Sequence, residues 1–227
     1  MHRKNKFILR DIFTDVNCSI GVGAMIVFIA MVLVAGIASS VLIQTSNLLE
    51  NQAMSTGHDT KDEISSGIRV YEIIGQHTNR NIGGVDYSRF HNMSIMVTPR
   101  AGSREVDLSE TIIAISDGSV KCILSWVNTY SSAPSASGLF STDGSFNLNA
   151  SEFGIIVIED HDGSCTRQNP VLTVGDKALL TVNLSACFTG LATRNDVFGM
   201  VIIEDGSPGV FLFRTPATTS RTVVELF

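Results

Sequence analysis

The residues best equipped for chemistry lie in Glu159-Asp160-His161-Asp162-Gly163, the densest ionisable cluster of the chain. Alternating acids ahead of a Gly can hold Ca²⁺, which takes several oxygen ligands. Glu159, Asp160 and Asp162 are the candidates, but the distant Glu of a full calcium loop is absent. The same residues also read as the solvated end of a hairpin. The five histidines, His2, His58, His77, His91 and His161, are scattered, with no H-x-x-x-H pair. No G-x-S-x-G elbow occurs. A dispersed Ser-His-Asp set could be assembled by folding, but in so Ser-rich a chain that idea selects nothing. Gly21-x-Gly23 is followed by no Lys-Ser/Thr and preceded by no strand, so it is not a phosphate loop. Cys18, Cys122, Cys165 and Cys187 show no C-x-x-C spacing. We therefore expect no catalytic residue, no cofactor and no resident metal beyond the acidic candidate.

The elements that would have to position such residues point to mechanics. The chain has 227 residues and a formal net charge of −6, with no basic excess to suggest a nucleic-acid partner. Arg3, Lys4, Lys6 and Arg10 precede a long apolar block. Ile20–Ile43 reads IGVGAMIVFIAMVLVAGIASSVLI, and about 20 apolar residues in a helix span a bilayer. Basic residues ahead of it favour a cytoplasmic N-terminus. Three readings fit: a secretory signal peptide, whose apolar core would be shorter; a plain membrane anchor; or a pilin-like leader cut ahead of a helix that is kept.

Beyond the block, Leu49, Ala53, Thr56, Thr60, Ile64, Ile68, Tyr71 and Ile74 recur in steps of three and four, with no Pro. That spacing predicts an amphipathic continuation of the helix to about Gly75. One helix over Ile20–Gly75 would be ~84 Å long, and only about 30 Å of it could lie in lipid. Such a helix suits a packed bundle, and a stalk on a membrane anchor fits the pattern too. Within it, Gly21, Gly23, Gly36 and Ser39-Ser40 would allow close helix contacts.

From Asn79 the composition turns to Gly, Ser, Thr and Asn, and Asn81-Ile82-Gly83-Gly84 reads as a linker. β-like runs then alternate with turn clusters: His91–Thr98, Thr111–Ser116, Ser119–Val127, Phe153–Glu159, Ala178–Leu184, Val197–Ile203, Val210–Arg214 and Thr222–Phe227. The fold class is α+β, a long N-terminal helix followed by an all-β sandwich or barrel. Ser-rich Thr129–Ala150 reads as a long surface loop. If this half is exported, Cys165 and Cys187 lie near strand ends and are the predicted disulfide, with Cys122 a mid-strand thiol. Three N-x-S sequons fall here, at Asn92, Asn149 and Asn183. Alternation puts Met93, Ile95 and Val97 on one face of their strand and Leu180, Val182 and Leu184 on one face of another. Asn92 and Asn183 should then point outward, while Asn149 follows the loop.

Gly21-Val22-Gly23-Ala24-Met25-Ile26-Val27-Phe28-Ile29-Ala30-Met31-Val32-Leu33-Val34-Ala35 resembles the N-terminal signature of archaellins, the archaeal flagellins, in which a nearly identical run follows a short charged leader. The resemblance continues at Ser65-Ser66-Gly67-Ile68, Val106-Asp107-Leu108-Ser109-Glu110-Thr111, Ser116-Asp117-Gly118 and Val223-Val224-Glu225-Leu226. It implies a leader, residues 1–18, cut between Cys18 and Ser19 so that Gly21 falls third. Archaellins usually carry a basic residue and then Gly or Ala before the cut, and this chain has Asn17-Cys18.

The resemblance further implies a filament-core helix over 19–78 packing through Val27, Phe28, Val32, Leu33 and Val34, and an immunoglobulin-like outer domain over 79–227. The implied partners are copies of itself and other archaellins, a prepilin-peptidase-like enzyme, an assembly motor with its membrane platform, and the membrane before assembly. The implied function is a swimming filament on the cell surface, with N-linked glycans. An adhesive pilin is the nearest alternative, and a membrane-anchored enzyme or binding module the more distant one.

Overall fold

The computed structural model describes the backbone of residues 5–82, 85–142, 144–219 and 221–227, and the side chains in these ranges outside 5–20, 79–82 and 85–87. Two compact units emerge, Met1–His58 and Asp59–Phe227. Helix α1 covers Asn5–Ser65, 61 residues free of Pro. It stops where Ser65-Ser66-Gly67 interrupts the apolar spacing. The Ser66 N–H donates to Asp62 O at 2.7 Å, and the Gly67 N–H donates to Ser103 Oγ at 3.1 Å.

The helix therefore ends ten residues short of the expected Gly75. Ile68–Ile82 is a strand, β1. The misleading feature is that both faces of this bulged strand carry apolar residues. Its inward residues are Ile68, Val70, Ile73, Gly75 and His77, because the register with the next strand shifts between Val70 and Glu72. Tyr71, which the helical spacing grouped with Ile68, is 60% exposed, so apolar residues from both faces of a bulged strand counterfeit helical spacing. The expected linker is corrected too: Asn81 and Ile82 close β1, and Ile82 pairs with Val85 of β2 (Val85–Pro99). Gly83 and Gly84 lie outside the described residues.

The remaining elements are β3 (Val106–Asp107), β4 (Ile112–Ser116), β5 (Lys121–Ser131), β6 (Glu152–Glu159), β7 (Val171–Leu172), β8 (Lys177–Asn183), α2 (Leu184–Phe188), β9 (Leu191–Ala192), β10 (Asp196–Ile202), β11 (Gly209–Arg214) and β12 (Val223–Glu225). Among the described residues one sheet runs in the order β11-β10-β4-β5-β6-β8-β2-β1-β12, with β9 on β2, and β3 pairs with β7 apart from it. The sheet curls so far that Gly67 bridges Ser207 just ahead of β11. Each of the eight runs expected to be strands lies on a strand.

One core fills the curl, with Phe90, Phe153, Ile73, Met93, Ile95 and Leu180 at 0% exposure. The pair β5–β6 is parallel, so residues 132–151 must cross over. This Ser-rich crossover is no free surface loop. Thr142, Ser145, Phe146 and Leu148 are buried, and Phe146 packs with Ile156 and Leu179 on the sheet's second side. Thr181 Oγ1 donates to Ser145 O at 2.6 Å. A Cβ at Gly154 would sit 2.6 Å from that hydroxyl, so only Gly lets the crossover lie so close.

The disulfide joins Cys122 to Cys187, not Cys165 to Cys187. Cys122 points into the core from β5, and Cys187 packs on that core from α2, a helix not expected from the sequence. Cys165 is buried and free, and its carbonyl accepts from the Tyr130 hydroxyl. Burial first, then the charges of Asp160 and Asp176, push its thiol up to about 12. The bridge closes a loop with a sequence separation of 65. Opening it by Cys122→Ser should cost about 4 kcal/mol on chain-entropy grounds. Urea titration of oxidised wild type against the variant checks the loss, and a non-reducing peptide map should show Cys122 linked to Cys187. A Cys165–Cys187 peptide would refute the pairing.

Candidate functional site

Over Gly21–Ile43 the helix shows apolar side chains on every side, and among the described residues they stand exposed. Val27, Phe28, Val32, Leu33 and Val34 are 55–69% exposed. The most apolar 18-residue window has a mean hydropathy of 2.8 and is not buried at all. Full burial of such side chains stabilises by about 1.5–3 kcal/mol each. A Cβ at Gly21, Gly23 or Gly36 would meet nothing within 4 Å. These glycines therefore relieve no crowding within the chain, and the room they leave is on the outside. Cys18 and Ser19 lie within the helical backbone, and their side chains lie outside the described residues.

The acidic cluster is real but differently composed. Carboxylates of Asp160, Asp162 and Asp176 converge, with one oxygen of each within 4.8 Å of the others. Glu159 is not among them: its carboxylate pairs with Lys177 Nζ at 2.6 Å, which holds its pKa below the usual range. Asp176 takes its place from the turn just ahead of β8, because Glu159 and Lys177 are paired residues of β6 and β8. Asp176 is wholly buried. It accepts from the His161 N–H at 3.1 Å and from the Thr173 N–H at 2.8 Å. Asp160 accepts from Gly163 and Cys165 N–H, and Asp162 from Ser164 N–H and the Thr173 hydroxyl. The three carboxylates offer the hard oxygen donors a divalent cation prefers, and as they stand they tie the 160–176 loop together. The turn Val174-Gly175-Asp176 ahead of a strand was the only sequence signal for Asp176.

The sequons separate sharply. Asn92 sits mid-sheet, opposite Gln76 on one side and Asn183 on the other, and its Nδ2 donates to Gln76 Oε1 at 2.8 Å. Ser94 of the same sequon has 0% exposure. Asn183 caps α2: its Oδ1 accepts from the Ser185 and Ala186 N–H groups, and its Nδ2 donates to Leu148 O at 3.0 Å. Both were expected to face outward. The inward residues Met93, Ile95 and Val97 are where alternation put them, but the crossover covers the opposite face. Asn149 alone of the three is fully exposed. Its amide donates to the half-buried Glu152, whose carboxyl is held below the usual range by the hydrogen bonds from Asn149.

Two of the described histidines serve packing. His77 is buried edge-on to Phe90 and hydrogen-bonded to Ser88, and burial lowers its pKa. His91 Nδ1 pairs with Ser185 Oγ at 2.7 Å, which pins α2 to β2.

A helix with an uncovered apolar surface, on a chain whose β domain has its own core, is the build of a subunit completed by association. The chain matches the archaeal-type flagellin family over residues 18–213. It is 40% identical over 212 residues to Flagellin B2 of Methanocaldococcus jannaschii, across 92% of this chain and 94% of that one. Its structure is similar to the crystal structure of archaeal flagellin FlaB1 from Methanocaldococcus jannaschii, with TM-score 0.63 and 31% identity over 71% of this chain and 96% of that one. The fold is shared with the archaeal flagellum of Methanospirillum hungatei strain JF1, with TM-score 0.59 and 14% identity over 90% and 98% of the two chains. The chain belongs to the archaeal-type flagellin family. It is a structural subunit of the archaellum filament at the cell surface, assembling with other archaellins, and not an enzyme.

The rearranged acidic cluster can be tested without any ligand. Asp176→Ala leaves the His161 and Thr173 N–H groups unpaired in the interior and should cost about 2–4 kcal/mol. Glu159→Gln, which removes one exposed ion pair, should leave the urea midpoint unchanged. Equal effects of the two would refute this division.

Proposed function

We propose that the chain is made as a membrane-held precursor and completed by removal of residues 1–18. Its helix from Ser19 then becomes the filament core, and the β domain forms the outer surface. Four basic residues ahead of the apolar run favour a cytoplasmic leader. The observation that carries the reading is the uncovered apolar helix with glycines that no intrachain contact requires. Water leaves it two homes, lipid before assembly and other helices after it. A prepilin-peptidase-like enzyme would make the cut, and a motor on a membrane platform would insert and turn the polymer. Contacts between unlike surfaces of successive copies do not close, and they generate an open helix. Swimming is then a mechanical output.

N-terminal analysis of sheared filaments should read Ser19-Ile20-Gly21. A start after Ala38 would mean a signal-peptidase cut and the loss of the core helix. Val32→Asp places a carboxylate among apolar helices at a cost of several kcal/mol. Cells carrying it should therefore lose filaments and swimming while the β domain still folds. Normal filaments from that variant would overturn the core assignment.

We also propose that Asn149 carries an N-linked glycan in the filament. It is the exposed sequon, and Asn92 and Asn183 have their amides engaged within the fold. Intact-mass measurement of filament protein should show added sugar mass that Asn149→Gln removes and Asn92→Gln does not. An unmodified mass sinks the claim and leaves the filament reading standing.

A further inference from the structure

The β domain has a second uncovered apolar surface. An antiparallel strand with one solvated face alternates apolar with polar, and a near-continuous apolar run marks a strand buried on both faces. Val197-Phe198-Gly199-Met200-Val201-Ile202 on β10 and Val210-Phe211-Leu212-Phe213 on β11 are continuous runs, yet only one side of each is buried in the chain. Val197, Val201, Phe211 and Phe213 point into the core. Phe198, Val210 and Leu212 are 53%, 65% and 56% exposed.

The register makes these residues one surface. Phe198 lies opposite Leu212, and Met200 lies opposite Val210 on one side and Ala114 of β4 on the other. Ala114 lies opposite Ile123 of β5, which is 58% exposed. The patch thus crosses four adjacent strands. Phe211 packs against the backbone of Gly199 from inside, so the strand floor beneath it is filled. With Ile112, Ile202 and Val127 the exposed area of these residues comes to roughly 700 Å², near the ~800 Å² share that one partner gives to a standard protein interface. The largest patch on an ordinary monomer is about 300–600 Å². Charge is kept to its rim. Arg214 and Asp196 pair with each other at 3.6 Å, and Lys121 sits at the start of β5. The surface has neither the basic charge a headgroup or nucleic acid would want nor the polar-aromatic mixture a sugar would want.

We propose that this β11-β10-β4-β5 face is a contact between copies, seated against a second copy of this chain in the filament. The proposal rests on the filament assignment. Self-assembly supplies a copy at fixed spacing, and the area and missing central charge match a protein partner of the same apolar kind. It adds a contact in the β domain to the helical contacts of the core.

Met200 is a built-in probe, 40% exposed in the single chain, while Met93 is at 0%. Peroxide oxidation should be followed by mass spectrometry on sheared filaments and on folded subunits released from them. Met200 should oxidise at least about tenfold slower in filaments, with Met93 slow in both. Equal Met200 rates overturn the proposal, and so does protection confined to the membrane-bound precursor. Phe198→Ser with Leu212→Ser should leave subunit melting unchanged, because both side chains point outward, and should lower the temperature at which filaments dissociate. Val174→Ser, an exposed apolar change elsewhere, should not. Filaments of unchanged stability from the double variant refute the contact but leave the filament assignment intact. Failure of the native chain to appear in filaments at all would instead strike the assignment itself. A photo-cross-linker at position 212 should capture peptides of another copy, shown by mixing isotope-labelled and unlabelled chains. Cross-links only within one chain overturn the proposal.

Discussion

An apolar helix in water is a problem of side chains, not of backbone. Within α1 the peptide groups satisfy one another, so the helix is self-sufficient in hydrogen bonds wherever it lies. Its surface from Gly21 to Ile43 is not, because among the described residues nothing covers Val27, Phe28, Val32, Leu33 or Val34. Just beyond it the Thr45 hydroxyl donates back to Val41 O at 2.9 Å, within the helix itself. Lipid or like helices can cover such a surface, and lateral packing among copies covers it on all sides at once. This requirement makes the chain a part rather than a whole.

A chain whose first third depends on neighbours needs its remaining part to fold without them. The β unit from Asp59 onward meets that need with a sheet curled around one core, shut by the Gly67–Ser207 bridge and by the Cys122–Cys187 link from β5 to α2. The parallel β5–β6 pair forces a crossover, and the crossover supplies a lid of Phe146 and Leu148 over the sheet's second side. Strands β6 and β8 are consequently buried on both faces, and β10 and β11 on only one within the chain. The difference between the central and outer strands is the difference between a domain's interior and the surface it shows to others.

The acidic hairpin shows how little local composition says about a constellation. Glu159, Asp160 and Asp162 are neighbours in sequence, yet successive strand residues point to opposite faces, and Glu159 turns away to Lys177. Asp176 joins Asp160 and Asp162 because β8 returns antiparallel to β6. Cys187 follows the same logic, since its partner is chosen by where α2 lands on the core rather than by distance along the chain.

The helix, the run of strands, the absence of a recognisable catalytic motif and the archaellin resemblance were all legible from residue type and spacing, because apolar length and local periodicity are properties of a segment by itself. The tertiary structure decided the rest. Apolar residues on both faces of β1 imitated helical spacing, and only pairing with β2 and the core decides which of them face inward. The side of the sheet at Asn183 was expected to meet water and instead meets a crossover, through the Asn183–Leu148 bond at a separation of 35 residues. Alternation tells which residues share a face, but what lies against that face is set by long-range packing, and no local pattern contains it.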